Sequence, residues 1–426
     1  MWTPNAWAYL ALGLGAARAI AQEYDYVVVG SGPGGGPLAV DLARAGNSVL
    51  LLESGLDVNV NDNRDIMFAS WMVNNNNSRW DFFVKHSDDP ERELKYKHMT
   101  WRTENGDFYV GFDPPEGAKQ LGIWYPRAAA LGGGAIFDDA VLELPPDSTW
   151  DSIAALTGDK SWGAAEMRKI YEEIENSHYV KAGTKGHGFS GWLETNRGYG
   201  SWVGGDKDAT ALFRAVSEEL GSPKNMSVEE LRNQLTRDIN GPDADRDKAT
   251  GIFGLVTHTD TSGSRFSPAN YVRNALKENP DLPLFVELNS TLTEIVWDPL
   301  SSGGLPSVMA VNYVVGPNAY KAHPKYDPAR NTTTGFTYVG KELIIAGGVF
   351  NSPQILKLSG IGPADELKKH NVTVVSDVPG VGANLGDVYE SSVISLAKKS
   401  YVDSMGSYSV QLKSSVSEGE RDIALW

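Results

Sequence analysis

The chain has 426 residues, of which 41% are hydrophobic and 22% are charged, enough for one large domain or two that share a core. Its formal net charge is -16 and it has no block of basic residues, which argues against binding to nucleic acid or to an anionic membrane surface. It contains no cysteine, so disulfides, thiolate nucleophiles, iron–sulfur clusters and cysteine-ligated zinc are excluded. No metal site is predicted.

The N-terminus carries an apolar run over residues 6–17 that is too short to span a bilayer. The run is followed by Ala19-Ile20-Ala21, a small-x-small pattern typical of a signal-peptidase site. We therefore predict a signal peptide over residues 1–21 and a secreted protein, with a buried N-terminal helix as the alternative. No other apolar run is long enough for a membrane span.

Asn-x-Ser/Thr triplets support secretion mildly, because they are acceptors for N-glycosylation in secreted chains. They begin at Asn76, Asn225, Asn289, Asn331 and Asn371.

The first strong pattern is a strand, a glycine turn, a helix and a second strand in immediate succession. These elements are predicted over residues 24–29, 30–35, 37–44 and 48–52. The turn reads Gly30-x-Gly32-x-x-Gly35, and Glu53 follows the second strand. This order is typical of a dinucleotide-binding unit.

Each residue of this pattern has a physical role in holding a dinucleotide. Gly30 permits a positive φ, Gly32 lets a pyrophosphate approach the backbone, and Gly35 lets the helix pack against the strand. The amides at the helix N-terminus stabilise the phosphates. Glu53 can accept hydrogen bonds from ribose hydroxyls, and its charge disfavours a 2′-phosphorylated dinucleotide. The turn alone leaves FAD and NAD open.

The middle of the chain is predicted to be loops followed by helices. Residues 56–120 are polar and loop-rich, and residues 125–139 form a second glycine-rich element. Apolar spacing predicts helices over residues 166–175, 209–220 and 228–238. Ser227 and Glu230 form a capping box for the last helix.

The later part of the chain returns to mixed helices and strands. The pattern predicts a helix over residues 268–277, and strands over residues 284–288, 292–297, 308–315 and 341–346. Ser352 is predicted to cap a helix that begins at Pro353. A short helix follows over residues 363–370, and the tail, residues 391–426, has only weak strand-like runs.

Several motifs together resemble the glucose–methanol–choline family of FAD oxidoreductases, particularly its secreted fungal members. They are the opening unit with Glu53-Ser54-Gly55, the stretch from Tyr125 to Gly134, the stretch from Gly348 to Gly362, and the loop from Pro379 to Asp387. The resemblance covers residues 24–387. It implies an α/β (α+β) fold with a Rossmann-like FAD-binding domain around a mostly parallel sheet, and an interleaved antiparallel-sheet substrate domain.

On this basis we predict a domain organisation in which the chain passes between the two parts. Residues 22–160 and 266–390 form the FAD-binding domain. Residues 161–265 are a helical segment of the substrate domain, and residues 391–426 begin a truncated part of that domain.

The resemblance also implies which residues contact the cofactor. Pro33 and Gly34 match positions at the pyrophosphate, and Glu53 and Ser54 match positions at the adenosine ribose. Gly134 and Asp138 match positions near the phosphates and the flavin ring. Leu292 matches a backbone contact to adenine. Asn384 matches a residue close to the isoalloxazine.

Two departures from the family pattern change the expected chemistry. Phe137 stands where some members carry the histidine that bonds to the flavin, so we predict non-covalent FAD. Asp138 stands where an asparagine is usual, and an anion beside the ring would lower the flavin's potential.

No catalytic residue is predicted. The family uses a histidine base, with a second His or Asn, in segments beyond the stretch from Gly348 to Gly362, and this sequence ends at Trp426. We expect this C-terminal catalytic part to be missing. The histidines present are each expected to be surface or packing residues: His86, His98, His178, His187, His258, His323 and His370.

The leading interpretation is an FAD-dependent oxidoreductase that oxidises a small-molecule alcohol by hydride transfer to flavin. Secondary metabolism is one pathway context in which such a reaction would serve. An alternative is a flavin-binding homologue that does no net redox chemistry, of the cyclase or dehydratase kind. A third is a truncated product without function, and a NAD dehydrogenase explains only the first motif.

Overall fold

The computed structural model describes residues 22–58, 76–198, 200–299, 304–388, 390, 393, 396, 398 and 408–425. The signal peptide predicted over residues 1–21 lies outside them. The chain divides into two compact units. The first comprises the described residues of Met1–Val58, Ser70–Ile136 and Pro268–Gly386, and the second those of Phe137–Ser267 and Asp387–Trp426.

The strands and helices of the described residues are numbered in chain order. The strands are β1 (Glu23–Val29), β2 (Val49–Leu52), β3 (Arg79–Val84), β4 (Met99–Arg102), β5 (Phe108–Val110), β6 (Lys119–Ala128), β7 (Glu175–Ser177), β8 (Leu193–Arg197), β9 (Gly251–Gly254), β10 (Val256–Thr257), β11 (Leu284–Glu287), β12 (Ser290–Trp297), β13 (Val308–Val315), β14 (Thr333–Ile345), β15 (Ile361–Gly362), β16 (Ser376–Asp377), β17 (Tyr408–Leu412) and β18 (Ile423–Leu425). The α-helices are α1 (Gly35–Arg44), α2 (Pro90–Glu93), α3 (Asp147–Thr157), α4 (Ala164–Ile174), α5 (Lys207–Glu219), α6 (Val228–Gln234), α7 (Pro268–Glu278), α8 (Gly348–Leu358) and α9 (Ala364–Lys369).

The first unit is built on a six-stranded mixed sheet with the order β11-β2-β1-β14-β13-β12. The pairings from β11 to β14 are parallel, and those from β14 to β12 are antiparallel. The parallel part places the carboxyl ends of β1 and β2 side by side, where Val29 pairs with Leu52. This arrangement confirms the predicted α/β fold class with a mostly parallel sheet.

The core of this unit comes from strands whose sequences are nearly all apolar. Every residue of β2 is buried, as expected of a strand covered on both faces. Val27, Leu50 and Leu52 pack with Leu292 and Val311 from the antiparallel part.

The helices α1 and α7 are tied together by a polar contact. The Tyr271 hydroxyl donates to Asp41 Oδ1 at 2.7 Å, and Arg44 Nη1 donates to that hydroxyl at 2.8 Å.

A second sheet of this unit corrects the prediction that residues 56–120 are mainly loops. Strands β3, β6, β4 and β5 form a four-stranded antiparallel sheet in that order. Aromatic residues of these strands pack with one another across elements, as in the T-shaped contact of Phe83 with Phe108, whose ring centroids lie 5.4 Å apart. Polar connections between them obscured the alternating pattern in the sequence.

The helix predicted to begin at Pro353 begins earlier in the structure. Helix α8 starts at Gly348, with Gly347 as the N-cap residue, and Pro353 lies inside it. Ser352 is therefore within the helix and does not cap it. The predicted start was wrong because the helix accommodates Pro353 in its interior, where the proline lacks the N–H for one helical hydrogen bond.

The second unit holds helices α3 to α6 and two three-stranded sheets, β10-β8-β7 and β18-β17-β9. An apolar cluster in this unit brings together Trp202, Phe213, Leu231, Ile252 and Val410. Strands of the C-terminal tail thus complete a sheet of this unit. The helices predicted around residues 166–175 and 209–220 are confirmed.

The helix predicted over residues 228–238 is confirmed at its start and wrong at its end. The capping box of Ser227 and Glu230 is formed, and the helix ends at Gln234. Beyond it, Asp238 Oδ1 accepts a hydrogen bond from the Asn240 amide at 2.9 Å, a local turn that competes with helix. No helix within the described part of the chain has the length and apolar character needed to cross a membrane.

Candidate functional site: a glycine-lined cavity

The first glycine turn lies where β1 ends, and two of its glycines have no room for a side chain. Gly30 has a φ of +100°, and a Cβ there would lie 2.3 Å from the carbonyl oxygen of Ala346. A Cβ on Gly35 would lie 2.0 Å from the Gly30 oxygen and 3.1 Å from Val28 Cγ1. Both positions therefore require glycine, as the sequence pattern predicts for the turn and for helix–strand packing.

A second glycine loop meets the first one backbone to backbone. Gly133 has a φ of +58°, and a Cβ there would lie 2.6 Å from the Cα of Gly32. A Cβ on Gly134 would meet nothing within 4 Å, so this residue borders open space. The two loops together make a floor of main-chain atoms on which a ligand could rest.

Two helices begin at this floor without a side-chain cap. Helix α1 has Gly34 as its N-cap residue, and helix α8 has Gly347; neither N-terminus receives a hydrogen bond from a capping side chain. The first N–H groups of a helix and the positive end of its dipole attract anions. This edge of the unit is therefore suited to a phosphate group.

Glu53 follows β2 and is buried, with 5% of its surface exposed. Its Oε2 accepts hydrogen bonds from the Ser31 amide at 3.1 Å and the Ser31 hydroxyl at 2.6 Å, and its Oε1 accepts one from the Gly55 amide at 2.8 Å. Burial raises the pKa of Glu53, and these hydrogen bonds oppose that shift. The carboxylate is thus held rigidly beside the glycine turn.

Ser31 is a site residue that the sequence patterns did not single out. Besides donating to Glu53, its hydroxyl accepts a hydrogen bond from the Gly132 amide at 3.0 Å, so it links both glycine loops. Its position as the first variable residue of the glycine turn was the available signal. Only the fold shows that this variable residue faces Glu53.

These elements enclose a cavity of about 780 Å³, within the size range of small-molecule sites. Most of the predicted cofactor residues line it: Gly30, Gly32, Pro33, Gly34, Glu53, Ser54, Gly134 and Leu292. Gly35 does not line it and lies beneath the turn. Leu292 is buried on the edge strand β12, next to an irregularity in its pairing with β13.

Asn384 lies in a second cavity of about 680 Å³ beside α8 and α9. It has a φ of +58°, which asparagine tolerates better than most residues. The structure therefore does not bring Asn384 into the glycine-lined cavity.

An aromatic wall faces part of the glycine-lined cavity. Trp80 and Tyr320 make a T-shaped contact with ring centroids 5.2 Å apart, and Phe82 stacks on Phe350 at 4.7 Å. Burial raises the pKa of Tyr320, whose hydroxyl donates to Gln354 Oε1 at 2.8 Å. The sequence did not reveal this wall because its members come from three separate parts of the chain.

Asp138 belongs to the second unit and is flanked by two basic side chains. His258 Nε2 lies 2.9 Å from Asp138 Oδ1, Arg265 forms an ion pair with the same carboxylate, and the Ala140 amide donates to it at 3.0 Å. Burial would raise the pKa of Asp138, but His258 and Arg265 hold it below its usual value. The carboxylate is thus ionised and largely compensated by its own neighbours, which weakens the expected effect of an isolated anion.

No histidine is among the described residues that line the glycine-lined cavity. His187 and His258 are instead buried in the second unit, where each contacts protein acceptors through both ring nitrogens. His323 is buried in the first unit, with Nε2 3.3 Å from the Asn77 oxygen. These three histidines agree with the predicted packing role.

Comparison with known proteins finds similarity to one family. Residues 323–390 match the family described as GMC oxidoreductase. The glucose dehydrogenase [FAD, quinone] of Drosophila pseudoobscura pseudoobscura is 28% identical over 366 residues, covering 85% of this chain and 47% of that protein. The oxygen-dependent choline dehydrogenase of Sinorhizobium medicae is 28% identical over 372 residues, covering 87% of this chain and 53% of that protein.

Solved structures share the fold at low sequence identity. Pyridoxine 4-oxidase from Mesorbium loti aligns with a TM-score of 0.54 and 18% identity, covering 83% of this chain and 55% of that chain. An FAD-dependent oxidoreductase from Chaetomium thermophilum aligns with a TM-score of 0.56 and 19% identity, covering 84% and 51%.

The chain spans about half the length of the curated relatives that it matches. The family match, the relatives and the shared fold agree with the motifs at both glycine loops and at α8. Together they support the predicted resemblance of this chain to the GMC oxidoreductases.

Proposed function

We propose that the glycine-lined cavity holds FAD and that the chain is an FAD-dependent oxidoreductase acting on the alcohol group of a small molecule. The observation that carries the proposal is the floor formed by Gly32 and Gly133, with two uncapped helix N-termini beside it. Such a floor gives main-chain amides to a pyrophosphate without interference from side chains.

The other residues of the cavity suit the remaining parts of a dinucleotide. Glu53 and Ser54 line the cavity where ribose hydroxyls could donate to the carboxylate, and Leu292 lines it where the main chain could contact adenine. Phe137 offers no atom for a covalent flavin bond, so we propose that the cofactor is held non-covalently.

The proposed substrate class rests on the relatives. Those named above are called dehydrogenases of glucose and choline, and both of these compounds carry hydroxyl groups. FAD, when bound, supplies an acceptor for the hydride of such an alcohol. The protein's own part is to orient the dinucleotide through the glycine loops and to hold the Glu53 side chain in a fixed position through Ser31 and Gly55. No residue is proposed as the base that removes the hydroxyl proton of the alcohol.

The visible spectrum of the purified chain tests the proposal first. We expect a flavin absorption band that saturates at one FAD per chain and bleaches when alcohols are added without oxygen. Protein that stays folded and shows no band with excess FAD would refute the cofactor assignment. A band that no alcohol bleaches would refute the oxidation step and favour a flavoprotein without net redox chemistry.

The mode of attachment is tested separately by acid precipitation. We expect the yellow colour to appear in the supernatant, because a non-covalent flavin is released when the protein unfolds. Colour retained in the washed pellet would show a covalent bond instead.

We also propose that the protein is secreted and N-glycosylated. Four of the predicted glycosylation residues, Asn76, Asn225, Asn331 and Asn371, are exposed and Asn289 is partly buried, so most are accessible for modification. Expression in a secreting eukaryotic host should give medium-borne protein that starts after residue 21 and loses mass on deglycosylation. Retention in cells with an intact N-terminus would contradict this.

A further inference from the structure

Arg127 is a cationic side chain that lines the glycine-lined cavity at the end of β6. Its guanidinium lies 5.3 Å from the ring centroid of Phe350 and 5.8 Å from that of Tyr125. Phe350 in turn stacks on Phe82, with the two rings 4.7 Å apart and inclined by 8°. The aromatic rings therefore support the flat face of the guanidinium.

Three other arginines of the first unit each have a carboxylate partner. Arg44 pairs with Glu278 at 3.2 Å, Arg79 pairs with Asp81 at 2.8 Å, and Arg273 pairs with Asp57. Within the part of the chain that the structure describes, no acidic side chain forms an ion pair with Arg127. Its N–H groups remain available for an anionic ligand.

The charges around the cavity favour this use. Among the described residues that line it, Glu53 and Arg127 are the charged ones, and Glu53 already accepts hydrogen bonds from Ser31 and Gly55. The whole chain carries a formal net charge of -16, so an anionic ligand approaches an acidic protein. Arg127, an exposed cation that lines the cavity, would offset that repulsion.

We propose that Arg127 binds the diphosphate of the dinucleotide, through the edge of a guanidinium whose face is held by Phe350 and Tyr125. This inference rests on the proposed function, since it assigns a binding residue to the same cavity. An arginine forms parallel hydrogen bonds with phosphate oxygens in the plane of its guanidinium, and stacking leaves that plane free. The glycine loops would supply main-chain amides, and Arg127 would supply the charge.

ADP and adenosine measure this contribution directly, because they differ only in the diphosphate. Both ligands are titrated calorimetrically into the full chain freed of flavin, for the wild type, Arg127→Gln and Arg127→Lys. Losing a charged hydrogen bond of this kind should weaken ADP binding by about 10- to 100-fold. Adenosine binding should change less than about two-fold, and Arg127→Lys should give an intermediate loss because it keeps the charge without the planar fork.

Arg102→Gln is the matched control. Arg102 also stacks on an aromatic ring, that of Phe108 at 4.9 Å, in the same antiparallel sheet, but it does not line the cavity. We expect its ADP affinity to equal that of the wild type. Equal losses of ADP affinity in Arg102→Gln and Arg127→Gln would overturn the proposal, since the effect would then come from the protein's overall charge.

The outcomes separate this inference from the proposed function. Wild-type protein that binds FAD and ADP, together with an Arg127→Gln variant that binds ADP equally well, would overturn only the role of Arg127. Loss of adenosine and ADP affinity by the same factor would also overturn it, since the change would then be structural. Folded wild-type protein that binds neither FAD nor ADP would overturn the proposed function itself.

Discussion

The two units differ in what their polar groups bind: those at the cavity of the first unit face open space, whereas those in a buried network of the second unit bind one another. In the first unit, main-chain amides at two uncapped helix N-termini border an open cavity, together with an arginine that pairs with none of the described carboxylates. In the second unit, a buried network closes on itself. Glu175, with none of its side chain exposed, accepts hydrogen bonds from Tyr171 at 2.6 Å and Thr195 at 2.8 Å, and contacts His187 at 3.0 Å.

His187 is the centre of that network and shows why it needs no ligand. Its second ring nitrogen lies 2.8 Å from Asp238 Oδ2, so both nitrogens face carboxylates and both must carry a proton. Burial alone would lower the pKa of His187, but Asp238 and Glu175 raise it to about 9. Buried polar groups that find all their partners within the protein stabilise the fold, whereas those left open at a cavity are available for binding.

Replacing His187, the cation at the centre of the buried network, should have the largest effect on stability. His187→Leu leaves Glu175 fully buried and Asp238 partly buried without their counter-charge, which should cost about 3–5 kcal/mol of unfolding free energy. Urea denaturation with hydrogen–deuterium exchange of peptides from the second unit measures this.

His178→Leu is the control for that substitution. His178 pairs with Glu194, but the two side chains are 24% and 22% exposed. The loss of unfolding free energy should therefore be about 1 kcal/mol. Equal losses in the two variants would show that the network of His187 has no special weight.

The same network predicts that stability falls as the pH rises. The pKa of His187 is about 9 in the folded protein against 6.5 as its ordinary value, so the folded state binds more protons between these limits. This contribution is fully present below pH 6.5 and is lost as the pH rises through 9, by about 3 kcal/mol at most. Unfolding free energies measured from pH 6 to 10 should show this slope in the wild type and lose it in His187→Gln. A wild-type profile without a slope would contradict the prediction.

The glycine turn should respond to a single methyl group. Gly30→Ala places a Cβ 2.3 Å from the Ala346 oxygen at a positive φ, and we expect a loss of about 2–3 kcal/mol together with lost FAD affinity. Gly46→Ala is the control, because Gly46 has a φ of +89° but a Cβ there meets nothing within 4 Å. Gly46→Ala should lower the unfolding free energy by about 1 kcal/mol and leave FAD binding unchanged. Thermal unfolding and FAD titration compare the two variants, and equal effects would mean that the close contact with Ala346 does not matter.

Much of the first unit could be predicted from the sequence, because its signals are local. Strands β1 and β2 are continuous apolar runs, and the spacing of Gly30, Gly32 and Gly35 encodes a turn whose geometry follows from steric limits on φ. Motifs of this kind place a residue correctly without knowledge of its distant neighbours.

The parts that could not be predicted depend on contacts between distant segments. The sheet of β3 to β6 was hidden because polar segments separate its strands along the chain. Arg127 looked like any surface arginine until Phe350, from α8, was found against it. Glu175 and His187 gave no motif either, since the need to pair buried charges arises only when the chain has folded.

Ser31 offers the finest test of the comparison, because it is a closed hydrogen-bond partner within the open site. Ser31→Ala removes the donor to Glu53 Oε2 at 2.6 Å and the acceptor of the Gly132 amide at 3.0 Å, both buried. We expect a loss of about 1–2 kcal/mol of unfolding free energy, and a weaker FAD affinity because Glu53 and the second glycine loop lose their common partner. Ser48→Ala is the matched control. The Ser48 hydroxyl also accepts a hydrogen bond from an amide, that of Asp25 at 2.9 Å, and donates to the Asp25 carboxylate at 3.1 Å. These bonds lie near the other end of β1 and are only partly buried. That variant should lose less than about 1 kcal/mol and keep its FAD affinity. If both serines proved equal in FAD titrations, the hydroxyl of Ser31 would serve the fold alone and the cavity would depend on its main chain.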